Sequence, residues 1–126
     1  MEIVSLGSEI VECVRIRGLI ADHAEQFLAR VYTPREARAC QDRKKSTELF
    51  AACWAAKEAV MKCLASSKAR RLPWLEIELH DPASAQPRVL LHGAAADRAA
   101  KQRITGIVLT TASCREYATA TAMAIR

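Results

Sequence analysis

Wound as a helix at about 100° per residue, Leu49, Phe50, Cys53, Trp54, Val60, Met61 and Leu64 fall in one apolar arc, which commits the chain to a fold with a helix packed inside it. Lys57 sits near the middle of that arc, where an amphipathic pattern alone would not put an ammonium group. Glu58 and Lys62 lie to one side, one turn apart, flanked by Ala51, Ala55 and Ala59, small residues that let a ligand or a neighbouring chain come close. Two ammonium groups and a carboxylate on one buried helix suit an anionic, metal-bearing ligand. The same residues also have a plainer use. A Glu-to-Lys pair at i,i+4 contributes about 0.3 kcal/mol on an exposed helix, and Lys57 can run its head out to water past an apolar stem.

Around this helix the pattern is mixed. Residues 3–17 read as a short strand, a glycine turn at Gly7 and an amphipathic helix, whose pattern runs over 11–31 with Gly18 in its middle. Thr33-Pro34-Arg35-Glu36 is a capping box with proline at the first helical position, so a helix starts there and runs to about Arg43. Ser46 or Thr47 caps the central helix, which continues to about Ala65. Leu75, Ile77 and Leu79 alternate with Glu76, Glu78 and His80, the period of a half-buried strand. Turn residues at 81–87 lead to a second strand over 88–92, forming a hairpin-like pair. A short alanine-rich helix over 93–103 and strands over 107–111 and 117–125 follow. The last strand puts Thr119, Thr121, Met123 and Ile125 on one face and small alanines on the other. Helices before strands read as α+β. There is no internal repeat, linker or low-complexity stretch, and 126 residues make one domain, 1–126, with a single modest core.

Composition narrows the partners. Five scattered cysteines, Cys13, Cys40, Cys53, Cys63 and Cys114, form no C-x-x-C pair, which argues against a zinc site and a disulfide framework and for reduced thiols in a cytoplasmic protein. No charged-then-apolar leader opens the chain, and no apolar run approaches the roughly 20 residues of a membrane span, so a soluble protein without membrane contact is expected. The net charge of +5 implies an anionic partner, be it a polyanionic cofactor, an acidic protein or nucleic acid. Nucleic acid fits worst, because few aromatics are present to stack bases and no binding motif is visible.

Taken in order, the Gly7 segment, Phe27 through Glu36, Lys57-Glu58-Ala59 with Lys62 behind it, and Arg115-Glu116-Tyr117-Ala118 resemble the holo-acyl-carrier-protein synthases, the small phosphopantetheinyl transferases. The resemblance runs over nearly the whole chain. It implies an antiparallel sheet with a long central helix, and an enzyme that moves the phosphopantetheine arm of coenzyme A onto a serine of apo acyl carrier protein, as in fatty acid biosynthesis and lipid metabolism. In-line displacement at phosphorus needs charge neutralised on the pyrophosphate and a nucleophile held in line. Mg²⁺ suits the first task, since it takes only one or two protein carboxylates. By the resemblance those are Glu58 and Glu9, the latter standing where the family has aspartate in Gly-x-Asp. Lys62 would contact a coenzyme A phosphate, and Lys57 either a phosphate or a structural partner. Glu36 is a candidate for activating the attacking hydroxyl, directly or through water, although capping explains it equally well.

Four positions depart from the family pattern. Glu9 keeps the charge of the usual aspartate but adds a methylene. Cys53 replaces an arginine before the aromatic residue of the central helix, and residues 65–71 lack the usual glycines. Ala112-Ser113-Cys114 replaces Ser-His-Thr/Ser, so that Ser113 offers a hydrogen bond to the cofactor where the family has a histidine. His23, His80 and His92 fall at no matching position and read as surface or strand-end residues.

Arg15 and Arg17, with Arg30, Arg35 and Arg38 after them, make a basic surface for the acidic helix of a carrier protein, and Arg15 matches a carrier contact of the family. A solvated basic face is the commoner meaning of such a run. The resemblance further implies a homotrimer with the cofactor between subunits, and the alanine faces of the last strand and central helix permit close packing against another chain. Two readings from other classes use the same residues. One is a catalytically impaired homologue that binds coenzyme A or a carrier protein without turnover. The other is a basic interaction protein, whose binding would be independent of magnesium and of Glu58.

Overall fold

The computed structural model describes residues 1–41, 44–64 and 72–126. Its elements run β1 (Ile3–Glu12), α1 (Cys13–Val31), α2 (Pro34–Gln41), α3 (Ser46–Leu64), a 3₁₀ turn (Trp74–Glu76), β2 (Ile77–His80), β3 (Arg88–Leu91), α4 (Gly93–Lys101), β4 (Gly106–Ser113) and β5 (Tyr117–Ile125). This is an α+β fold with antiparallel pairing throughout. One sheet has the order β1-β5-β4 and the other pairs β2 with β3. The glycine-free segment 65–71, the expected end of the central helix at Ala65 and that of α2 at Arg43 lie outside the described residues.

The expected turn at Gly7 is not formed. β1 runs through it unbroken, pairing Gly7 with Ala122 and Glu9 with Ala120, and the helix starts only at Cys13. Gly7 is required for a different reason. A Cβ there would overlap the Ala59 carbonyl oxygen and come within 2.9 Å of Lys62 Cβ, because α3 crosses β1 at this point. In α1 the interruption falls at Ala24 (φ 42°, ψ −116°) rather than at Gly18, whose missing side chain would meet nothing within 4 Å.

α3 fills the interior. Every residue from position 50 to position 61 is buried, and the helix lies on the inner face of β5, where Ala118, Ala120, Ala122 and Ala124 are each no more than 2% exposed. The alanine face expected to receive another chain is therefore occupied by the protein's own helix. The opposite face of the same sheet is open, with Leu6, Ile10 and Val108 left 64%, 59% and 45% exposed. Leu6 and Val108 both stand opposite Met123, so these side chains form one lateral row across three strands.

Two glycine substitutions separate these roles. Gly7→Ala is expected to destabilise the fold by about 1–3 kcal/mol through overpacking, and Gly18→Ala to stabilise it by about 0.5–1 kcal/mol through helix propensity. Urea midpoints of the two variants check both signs, and equal midpoints would contradict the packing of α3 on β1.

Candidate active site

The capping box forms as expected. Thr33 Oγ1 accepts from the Glu36 amide at 3.2 Å, and Glu36 Oε1 accepts from the Thr33 amide at 2.8 Å. Glu36 then does more than cap. Its Oε2 accepts from the Leu79 amide of β2 at 2.7 Å, and Oε1 lies 2.6 Å from Lys57 Nζ. Lys57 also donates to the carbonyls of Val31 at 2.6 Å and Trp74 at 3.3 Å, which accounts for its three N–H bonds. Both side chains are completely buried. This corrects two expectations: Lys57 reaches no phosphate, and Glu36 presents no oxygen to an attacking hydroxyl.

Glu58 and Lys62 take the other direction. Glu58 is 9% exposed and lines a cleft of about 450 Å³ with Arg15, Arg30, Trp54 and Trp74. The indole rings of Trp54 and Trp74 lie 5.5 Å apart, and the Arg15 guanidinium sits 5.2 Å over Trp54. Lys62 reaches β1, donating to the Ser8 carbonyl at 2.8 Å with Glu9 Oε2 at 3.5 Å. Glu9 is thus a strand residue and owes nothing to a helix dipole. Its Oε1 accepts from the next amide, of Ile10, at 3.0 Å.

Glu9 and Glu58 supply hard oxygen donors from two elements in contact, with an ammonium group alongside. Among the described residues no cluster of three or more His, Cys, Asp and Glu side chains exists to hold a metal on protein ligands alone. Such a donor set fits Mg²⁺, which keeps phosphate oxygens and waters in its shell.

The remaining candidates lie elsewhere. Arg15 and Arg17 do not share a surface, since two positions along a helix differ by about 200°. Arg17 lines a second cleft, of about 340 Å³, with Glu12, Val14, Arg115, Glu116 and Tyr117. Exposed Ser113 ends β4 beside this corner, paired with Ala118. His92 is exposed and bonds Glu78 at 3.1 Å, while His80 ends β2 opposite Arg88. Arg30, Trp54 and Trp74 are site residues that sequence reasoning did not pick. The tryptophans carried a signal, being the only two in the chain.

A sequence model described as the 4′-phosphopantetheinyl transferase superfamily matches residues 5–122. The holo-acyl-carrier-protein synthase of Rhodopirellula baltica is 43% identical over 120 residues, covering 95% of either chain. The chain belongs to the holo-acyl-carrier-protein synthases, enzymes of the phosphopantetheinyl transferase superfamily. Its fold matches that of the synthase from Neisseria meningitidis, with a TM-score of 0.84 at 24% identity over 98% of this chain and 99% of that one. The Helicobacter pylori synthase, solved in complex with coenzyme A, gives a TM-score of 0.78 at 24% identity, over 96% and 100%. Both are likenesses of fold. Among the described residues no helix is long and apolar enough to cross a membrane.

Within this family frame, the thiol in place of an arginine at position 53 points into the core at 1% exposure, and burial, followed by a hydrogen bond from Cys40, raises its pKa well above the usual thiol range. Burial also raises Cys13 and Cys63. All five cysteines are unpaired, and only Cys114 is exposed. Because the thiolate is the reactive form, Ellman's reagent is expected to titrate Cys114 alone in a fast phase on the native protein and the other four on unfolding. Retention of the fast phase in Cys114→Ser would contradict this burial.

Proposed function

We propose that the chain transfers the phosphopantetheine arm of coenzyme A to a serine of apo acyl carrier protein, as a single-domain, magnesium-dependent, cytoplasmic enzyme working as a homotrimer. The observation that carries this reading is the division of labour on α3. Lys57 is buried as a strut, while Glu58 opens on a cleft and Lys62 meets Glu9 on β1. The names of the family and of its Rhodopirellula relative supply the reaction class and the acceptor. The coenzyme A complex of the like-folded Helicobacter protein agrees with the donor.

In the proposed reaction the serine Oγ attacks the phosphorus that carries the pantetheine arm. One O–P bond forms, the P–O bond to the departing adenosine 3′,5′-bisphosphate breaks, and the serine proton is released. Bound Mg²⁺, held by Glu9 and Glu58, would neutralise pyrophosphate charge. Lys62 is 49% exposed at its side chain, so it is able to swing from Glu9 onto a phosphate oxygen. Glu58 is the carboxylate placed to receive the serine proton, directly or through one water. Glu36 is excluded from that task by its burial.

Arg15 places a guanidinium at the mouth of the Glu58 cleft, where an acidic carrier helix would dock. Arg17, Arg115 and Ser113 occupy a separate corner, which suits a contribution to the cofactor site of a neighbouring subunit. The open row of Leu6, Met123 and Val108 supports association through the outer face of the three-stranded sheet.

Intact-mass spectrometry of apo acyl carrier protein from fatty-acid synthesis, incubated with the chain, coenzyme A and Mg²⁺, tests this. One added phosphopantetheine arm is expected, absent without metal and reduced at least about 100-fold in rate by Glu58→Gln. Arg15→Glu is expected to raise KM for the carrier and to weaken its salt dependence, leaving KM for coenzyme A in place. No added arm on several carriers, with coenzyme A still bound, would identify a binding homologue without turnover. Metal-independent carrier binding indifferent to Glu58→Gln would identify an interaction protein.

A further inference from the structure

The ammonium group of Lys57 and the carboxylate of Glu36 are both completely buried, yet every polar bond they make goes to a different element. Lys57 on α3 holds the carbonyl of Val31, at the end of α1, and that of Trp74, in the 3₁₀ turn. Glu36 on α2 holds the Leu79 amide of β2 and the Thr33 amide before α2. Val31 and Trp74 are also walls of the Glu58 cleft, and Glu58 is the residue after Lys57. One ammonium group thus fixes two walls of the cleft and the backbone from which the cleft's carboxylate projects.

A buried ion pair is poor evidence of stabilisation, because apolar residues of similar volume often serve as well or better. Stability alone gives this fold no reason to keep the pair. We infer that Lys57 and Glu36 are positioning residues for the transfer reaction, holding the Val31 and Trp74 walls at the spacing in which Glu58 meets the substrate. Neither touches substrate. The inference deepens the proposed function and rests on it for its kinetic part.

A structural role and a positioning role separate in the double variant Glu36→Leu/Lys57→Met, which removes both charges together and leaves no orphaned ion. Trp54 and Trp74 are the chain's only tryptophans and lie close enough for exciton coupling, so circular dichroism near 230 nm reports Trp74's placement with no substrate present. The double variant is expected to melt near the wild-type temperature, to lose most of the couplet, and to lose kcat by about 100-fold with KM for coenzyme A changed less than about threefold. A folded double variant with the wild-type couplet and kcat overturns the inference, as does one in which kcat falls while the couplet stays. Should the double variant not fold, Glu36→Gln is read in the same way, since it keeps the shape and acceptor oxygen of the side chain and removes only its charge. If the wild-type chain transfers no arm, the proposed function fails by itself. The couplet then decides alone, loss supporting the strut between Lys57 and Trp74 and retention overturning it.

Discussion

The spacing between α3 and the strands beneath it determines where every charged group of the site can be. On the strand side stand Gly7 and the four alanines of β5, and on the helix side Ala51, Ala52, Ala55, Ala56 and Ala59, nearly all fully buried. Small residues on both surfaces let two backbones approach until Gly7 lies under the Ala59 carbonyl and Lys62 Cβ. Ser5 Oγ donates to the Cys63 carbonyl across the same contact at 2.7 Å. An extra methyl here is not absorbed by a flexible side chain, because what it meets is backbone. Lys62 starts directly above β1 for this reason, and its ammonium group reaches Ser8 and Glu9. A wider gap would leave Glu9 and α3 as unrelated surfaces.

Lys57 and Lys62 show what a helix does with two lysines five residues apart. Their directions differ by about 140°, so one faces α1, α2 and the 3₁₀ turn while the other faces β1. The inward one is tolerated only because its partners are complete. Three acceptors meet three N–H bonds, and the carboxylate that receives one of them has its other oxygen on a β2 amide. Leaving either charge unpartnered in this interior would cost about 3–5 kcal/mol. The outward lysine remains half exposed and free to change partners, which is the property a phosphate contact needs.

Several of these features were legible in the residues themselves. The capping box at Thr33 to Glu36 identified both its hydrogen bonds, because the motif is local and its geometry follows from the helix start. The misplaced look of Lys57 in an apolar arc was also readable, but its partner was not. Val31, Glu36 and Trp74 lie 17 to 26 residues away, and two of the three bonds end on backbone carbonyls that no side-chain pattern reveals. Gly7 was misread because a glycine in a turn and a glycine beneath a crossing helix look alike until the crossing element is known. The alanine face of the last strand was correctly seen as a close-packing surface. Its occupant was the central helix of the same chain, and the open face proved to be the Thr, Met and Ile side. The division between Arg15 and Arg17 was computable from helical spacing alone.

That division changes what the positive charge of the chain means. A net charge of +5 spread over one face would act mainly as a long-range field, screened beyond about 8 Å at physiological ionic strength. Here the arginines of α1 serve separate clefts. Arg15 is held over the face of Trp54, a cation–π contact contributing about 0.5–1 kcal/mol at an exposed position. A guanidinium stacked in this way has already given up much of its rotamer freedom, while its edge still offers N–H donors to a carboxylate. It therefore loses less entropy when an acidic helix arrives than a free surface arginine would. Since the same Trp54 forms the cleft wall next to Trp74 and Glu58, recognition of the acceptor and placement of the catalytic carboxylate are built on one aromatic pair.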